Sequence, residues 1–160
     1  QQWDWGKLQL TMLSPQHSSG GDINEDSCVL RISDGNHSVL LTGDVQRQAE
    51  AELTRLPASL LRSQILSSPH HGSRSSSSLE FIAAVAPDYV VHSAGYQNRW
   101  HHPHSEIVSR YIQSQQWITA TDGLISFEIN QNRIDIKPFR RSQPWYRKME
   151  AWLAGDHQLK

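Results

Sequence analysis

Two short stretches of the chain combine histidines with hydroxyl, amide and basic side chains. The first is LSSPHHGSRSSSS, residues 66–78, which contains His70, His71 and Ser73. The second is NRWHHPHSE, residues 98–106, whose polar side chains include Asn98, Arg99, His102 and His104. Imidazole and carboxylate groups are the ligands that suit Zn²⁺ or Mn²⁺. Hydrolysis at a metal site is therefore the chemistry that these residue types favour.

Each polar cluster comes directly after a stretch that predicts a β-strand. LLTGD ends in Asp44, SQILSS leads into His70 and His71, and DYVVHSA leads into the second histidine cluster. If the strands are neighbours in one sheet, the loops meet at one edge, where α/β proteins assemble their sites. Two metals bridged by a carboxylate could then activate water and hold a phosphodiester for in-line attack.

Each of these motifs also has a plain structural interpretation. Asp44 precedes the helical pattern VQRQAEAELTRL and could simply cap that helix. His70 and His71 could be a structural pair in a loop, and HHPH could be a solvated loop. Their shared position after strands favours a functional site over these separate explanations.

The remaining patterns predict a layered α/β chain. Strands are expected at 7–13, 27–33, 38–43, 63–68, 88–94, 117–123, 124–129 and 133–139. Helices are expected at 45–56, at 78–87 with Ser78 as its N-cap, and at 105–115 with Ser105 as its N-cap. Alternation of strands and helices in the middle of the chain supports this class. Cys28 lies in an apolar stretch and is expected in the core.

Composition limits the functional classes. The length of 160 residues and the hydrophobic content of 37% predict one globular domain. The net charge of −1 means that the chain has no overall positive field to attract nucleic acid. No apolar run is long enough for a transmembrane helix. The segment KPFRRSQPWYRK, residues 137–148, interleaves basic and aromatic side chains. It suits single-stranded nucleic acid, packing onto the domain, or a membrane surface.

The order of the motifs NEDSCVLRI, VLLTGD, HHGSRSSSS, FIAAVAPDYVVHSAG and NRWHHPHSE resembles one family. It is similar to the C-terminal metallo-β-lactamase-like domain of ComEC, the inner-membrane DNA-uptake protein of natural competence. The resemblance covers roughly residues 8–129. It implies an α/β fold, the αββα sandwich of metallo-β-lactamases, and a metal-dependent hydrolase or nuclease acting on DNA, with single-stranded DNA as the expected partner.

The resemblance also implies roles for individual residues. Asp44 and His70 would bind a divalent metal, Zn or Mn, in a two-metal site. His71, His102 and His104 would be catalytic, with His71 a neighbouring ligand or proton-transfer group. Ser73, Asn98 and Arg99 would contact substrate, since a guanidinium fork suits phosphate. This chain departs from the family in having His101 where a glycine is usual and Ser105 where a proline is frequent.

The HxxxDH-type metal motif of the family has no counterpart in this sequence, and the chain begins at Gln1. We therefore expect the C-terminal half of the sandwich at 1–139, with a basic and aromatic helix and tail at 140–160. The first half and a membrane-channel domain would lie upstream. The expected setting is the periplasmic side of the inner membrane, among the competence machinery. The alternatives are a catalytically degenerate domain that guides or gates DNA, and a metallo-hydrolase of another phosphodiester or ester.

Overall fold

The computed structural model describes residues 1–15, 23–130 and 133–139. The strands are β1 (Gln2–Trp5), β2 (Leu8–Ser14), β3 (Val29–Ser33), β4 (Ser38–Leu41), β5 (Ile65–Ser67), β6 (Tyr89–His92), β7 (Gln115–Ile118), β8 (Ile125–Asn130) and β9 (Arg133–Pro138). The helices are α1 (Arg47–Leu53), α2 (Ala58–Leu61), α3 (Leu79–Val85), α4 (Ser105–Arg110) and α5 (Thr119–Asp122). The predicted α/β class is confirmed.

Strands β1 to β7 form one sheet in the order of the sequence. Neighbours from β1 to β4 are antiparallel. Short turns connect β1 to β2 and β3 to β4, and in the second of these, at 34–37, Asp34 accepts hydrogen bonds from the backbone N–H groups of Asn36 and His37. Neighbours from β4 to β7 are parallel, and helices cross between them. The carboxyl ends of β4, β5 and β6 therefore lie side by side, as the sequence predicted.

The helices cover one face of the sheet and form the main core with it. Alternate strand residues such as Leu40, Leu66 and Val90 are fully buried there against apolar side chains of α1 to α4, which include Phe81 and Ile107. Strand side chains alternate between faces, so this arrangement fixes which residues face the helices.

The opposite face of the sheet includes three residues that lie side by side on neighbouring strands: Val39, Ile65 and Tyr89. A second sheet, the antiparallel hairpin β8–β9, lies against one end of this face. The ring of Phe127 is 6.4 Å from that of Tyr89 and 6.2 Å from that of Trp117, centroid to centroid. Aromatic contacts therefore hold the hairpin to the sheet. In the described part of the chain, no helix has the length and apolar character needed to cross a bilayer.

Several local predictions are wrong for identifiable reasons. The stretch 117–123 was expected to be one strand, but the strand ends at Ile118 because the Asp122 carboxylate accepts the Ile118 N–H and closes a helical turn. His104, not Ser105, is the N-cap of α4. Cys28 is exposed, and the next residue, Val29, takes the buried position at the start of β3. By contrast, the Ser78 cap of α3 is confirmed, since its side chain accepts the Phe81 N–H.

The predicted helix and tail at 140–160 lie outside the described residues, so this helix and the predicted domain boundary after residue 139 remain predictions.

Candidate functional site

Three loops converge at the carboxyl edge of the parallel strands. They follow β4, β5 and β6 and span residues 42–46, 68–78 and 93–104. The first two loops are joined by a hydrogen bond from His70 N to Gly43 O at 3.0 Å. The second and third are joined by one from His104 N to Gly72 O at 3.1 Å. Backbone contacts thus connect the loops that carry the predicted site residues.

The loop after β5 has an unusual backbone that aims both of its histidines. His70, His71 and Gly72 have φ values of +46°, +57° and +83°. Left-handed backbone is costly for a residue with a Cβ atom, so the surrounding contacts must hold it. Ser76 Oγ donates to Pro69 O at 2.8 Å, and Ser73 N donates to His70 O at 2.9 Å, which closes the turn Pro69–Gly72.

Gly72 allows the two histidine loops to touch. A Cβ atom built on it would lie 2.5 Å from Pro103 Cβ and 3.3 Å from Nδ1 of His92. Both distances are shorter than ordinary non-bonded contacts. The glycine in HHG is therefore required by close packing against HPH as well as by its positive φ.

Four histidines form a cluster of adjacent rings. Ring centroids are 5.9 Å apart for His70 and His102, 6.4 Å for His71 and His102, and 5.3 Å for His102 and His104. His71 Nε2 also lies 3.3 Å from Asp44 Oδ1. The structure therefore brings together all five residues predicted to be metal-binding or catalytic: Asp44, His70, His71, His102 and His104.

The Asp44 carboxylate does not cap α1. Gln46 is the N-cap residue of that helix, and its side chain makes no capping hydrogen bond. Instead, the carboxylate of Glu25 accepts from the N–H groups of Gln46, Gln48 and Ala49. Asp44 is thereby left to face His71, and the plain interpretation of Asp44 as a helix cap does not apply.

The chemistry of these donors fits a divalent cation in part. A carboxylate and several imidazoles are the donor types that Zn²⁺ and Mn²⁺ accept, and Asp44 and His71 already converge. However, no three His, Cys, Asp or Glu side chains among the described residues form a ready ligand set. The residues present could hold part of a metal's coordination sphere, and further ligands would be needed to complete it.

Ser73 extends the cluster through hydroxyl groups. Its Oγ lies 3.1 Å from Ser75 Oγ, which in turn lies 3.3 Å from Nδ1 of His70. A hydrogen bond at one ring nitrogen fixes the orientation of the imidazole and the nitrogen left for a ligand. Ser75, which the sequence analysis did not single out, is thus the residue that orients His70.

Asn98 shapes the loop after β6. Its side-chain Nδ2 donates to Gly95 O at 3.0 Å and His102 O at 2.7 Å, and its Oδ1 accepts from His102 N at 2.8 Å. These bonds hold His102 toward the cluster, while the phosphate contact expected of Asn98 stays a prediction. Arg99 is exposed, and its guanidinium carbon lies 4.3 Å from the centre of the Trp100 ring.

The environment of His102 favours its neutral form. Partial burial, reinforced by the neighbouring His104, His70 and His71, lowers the pKa of His102 below its ordinary value, and only Asp44 opposes the shift. A neutral imidazole keeps a lone pair, with which it can accept a proton or bind a metal.

Two buried residues support the loops and were missed from the sequence. Glu50 of α1 accepts from the N–H groups of Ser77 and Ser78 and so holds the serine-rich turn that follows His70 and His71. His92, at the end of β6, lies beneath both histidine loops with its Nε2 3.0 Å from Gln116 Oε1. Glu50 could have been suspected from its place beside Ala49 on the apolar face of α1. Nothing in the sequence distinguishes His92 from an ordinary strand residue.

Comparison with known proteins gives relatives from several bacteria. The chain is 33% identical over 150 residues to "Recombination protein 2" of Haemophilus influenzae, a match that covers 92% of this chain and 19% of that protein. It is 33% identical over 150 residues to "Competence protein ComA" of Neisseria gonorrhoeae, covering 92% and 22%. It is 33% identical over 129 residues to "ComE operon protein 3" of Bacillus subtilis, covering 79% and 16%.

Among solved structures, the chain is similar to the metallo-β-lactamase fold protein YhfI of Bacillus subtilis, with a TM-score of 0.46 and 16% sequence identity. That match covers 74% of this chain and 49% of YhfI. No protein-family model matches the chain. The chain spans about a fifth of the length of the curated relatives named above. These relatives are competence proteins, and the chain is homologous to them and belongs to the ComEC family.

Proposed function

We propose that this chain carries part of a metal-dependent phosphodiesterase site that cuts or processes DNA during DNA uptake. One observation carries the proposal: Asp44, His70, His71, His102 and His104 come from three adjacent parallel strands and meet at one edge, with ring-to-ring distances of 5.3–6.4 Å. A purely structural loop does not need five groups of this type in one place.

Asp44 and His70 are proposed to bind the divalent cation, Zn²⁺ or Mn²⁺. His71, which already contacts Asp44, is proposed either as a neighbouring ligand or as a proton-transfer group. When bound, such a cation polarises the phosphate and lowers the pKa of water. The remaining ligands, including those of a second metal, would come from an upstream HxxxDH-type motif of the same polypeptide.

The other side chains of the cluster have roles around the scissile phosphate. His104 or His71 is proposed to donate a proton to the leaving oxygen, and His102 to position that phosphate through its neutral ring. Ser73, Asn98 and Arg99 are proposed substrate contacts. Arg99 is exposed and can reach a phosphate. Asn98 also holds the loop, through its hydrogen bonds to the backbone of His102.

The similarity to competence proteins supports a proposal for the cellular setting. We propose that the chain works beside a DNA channel in the inner membrane, on the periplasmic side, together with the competence machinery. Single-stranded DNA is the proposed substrate.

A second candidate function is a degenerate domain that guides or gates DNA without cutting it. It is favoured by one observation: the described residues do not by themselves form a ligand set of three. The presence or absence of further metal ligands from an HxxxDH-type motif would decide between the two functions, since catalysis requires a complete ligand set. Hydrolysis of another phosphodiester or ester is a further alternative, because a fold does not determine a substrate.

The test is cleavage of end-labelled single-stranded DNA by the intact protein with Mn²⁺ or Zn²⁺. Asp44→Ala and His70→Ala should each reduce cleavage by at least about 100-fold, since loss of even an outer-shell partner costs about 10–100-fold. Asp4→Ala and His37→Ala are matched controls, because Asp4 lies on the edge strand β1 and His37 in the β3–β4 turn. DNA binding without cleavage under any metal would support the guiding function instead.

A further inference from the structure

The loop after β6 exposes a large aromatic ring beside the histidine cluster. The Trp100 side chain is 58% exposed, although tryptophan is usually well covered in folded proteins. The guanidinium of Arg99 lies over its ring, and the ring of His102 is 6.4 Å away at an interplanar angle of 23°.

The rings continue in nearly parallel orientation toward the metal-ligand candidates. His102 and His71 are 6.4 Å apart at an interplanar angle of 28°, and His71 contacts Asp44. A flat group bound on Trp100 would therefore lie two rings away from the Asp44–His71 pair. That spacing is suited to a nucleotide that neighbours the reacting phosphate rather than to the reacting one itself.

The loop is held in shape before any ligand binds. Asn98 bridges Gly95 O and His102 N and O, and His101 N donates to Asn98 O at 3.0 Å. Trp100 is thus presented by a loop that is already ordered. The backbone therefore loses little conformational freedom when a ligand binds. The Arg99 side chain remains exposed, and rotation about its single bonds can uncover the indole.

We propose that Trp100 and Arg99 form a nucleotide subsite for a single strand. A base stacks on the indole, and the Arg99 guanidinium exchanges its position over the ring for a contact with the adjacent backbone phosphate. Stacking on an aromatic ring is independent of base sequence, and a guanidinium fork matches phosphate. This inference rests on the proposed function, because it names how the same site holds its strand.

The test separates base stacking from phosphate binding. Affinity of the intact protein is measured by fluorescence anisotropy, with chelator present to prevent cleavage, for an oligo-dT and for an abasic strand of equal length. Trp100→Ala should weaken binding of oligo-dT by about 5- to 150-fold per stacked base and leave binding of the abasic strand unchanged. Trp100→Phe should retain most of the affinity for oligo-dT.

Two further variants complete the design. Trp5→Ala is the matched control, because Trp5 is also exposed, at 73%, but lies on β1 at the other end of the sheet from β6. It should change neither affinity. Arg99→Ala should weaken binding of both strands alike. It should also reduce the slope of log affinity against log salt concentration by about 1, the contribution of one phosphate contact.

The subsite is refuted if Trp100→Ala weakens both strands equally or neither, or if the wild-type protein binds neither strand. Its failure is distinguishable from failure of the proposed hydrolase. Cleavage that depends on Asp44 without any base discrimination at Trp100 would reject the subsite alone. Base discrimination without cleavage would reject the hydrolase alone.

Discussion

Replacing Gly72 with alanine tests whether contact between the two histidine loops holds the site together. The new Cβ would lie 2.5 Å from Pro103 Cβ and 3.0 Å from Pro103 Cα. Unbonded carbons pack at about 3.5–4.0 Å, so the loops must separate by about 1 Å. The proline ring cannot rotate out of the way as a flexible side chain could.

The cost has two parts. The left-handed backbone at φ +83° costs alanine about 1–2 kcal/mol, and forcing a methyl group into packed space costs about 1–3 kcal/mol more. Gly35→Ala provides a matched control, because Gly35 has φ +96° and nothing lies within 4 Å of its added Cβ. The free energy of unfolding should therefore fall by about 1–3 kcal/mol more for Gly72→Ala than for Gly35→Ala.

The assay combines urea unfolding with metal-dependent cleavage of single-stranded DNA, at a temperature where both variants are folded. Displacement of a catalytic group by about 1 Å can reduce a rate by about 100-fold, so Gly72→Ala should lose cleavage and Gly35→Ala should keep it. Equal destabilisation by the two substitutions, together with wild-type cleavage by Gly72→Ala, would refute the reasoning.

Three further predictions concern the supports of the site. Glu50→Gln should lower the free energy of unfolding by about 1–3 kcal/mol, because an amide cannot accept from both Ser77 N and Ser78 N. Burial raises the pKa of Glu50, so the folded state binds more protons than the unfolded state above the ordinary value of 4.5, and this contribution to stability falls as pH rises. Urea unfolding across pH should show the difference between wild type and Glu50→Gln shrinking with rising pH, and a growing difference would contradict the assigned shift. Glu25→Ala should cost about 1–2 kcal/mol in thermal or urea unfolding, since Glu25 caps α1 from a distant loop, and an unchanged midpoint would reject that role. His101→Gly should stabilise the protein by up to about 1 kcal/mol, because His101 has φ +57°, and destabilisation would show that its side chain makes a needed contact.

The placement of the site was predictable because it depends on chain direction. Successive parallel strands joined by helices put their carboxyl ends at one edge, so residues following β4, β5 and β6 had to meet there. The pattern of apolar residues was enough to locate those strands. The convergence of Asp44 and both histidine clusters further required these strands to be neighbours in one sheet, which the structure confirms.

The detailed partners were not predictable, because they depend on loop backbone and on distant residues. His71, rather than His70, contacts Asp44 because three consecutive residues take left-handed φ values, and only Gly72 among them signals this in the sequence. The cap of α1 comes from Glu25, more than twenty residues earlier, so a local search could only suggest Asp44. The left-handed φ of His101 gives a physical reason for the glycine that the family usually has there.

The most direct test of the central claim is the rate of single-stranded DNA cleavage by the intact protein as a function of Mn²⁺ concentration, for wild type and Asp44→Asn. If Asp44 is a metal ligand of a hydrolytic site shared by the three loops, the variant should need at least about 10-fold more Mn²⁺ for half-maximal cleavage. An unchanged Mn²⁺ requirement, with cleavage retained, would contradict the account and place the metal away from this cluster.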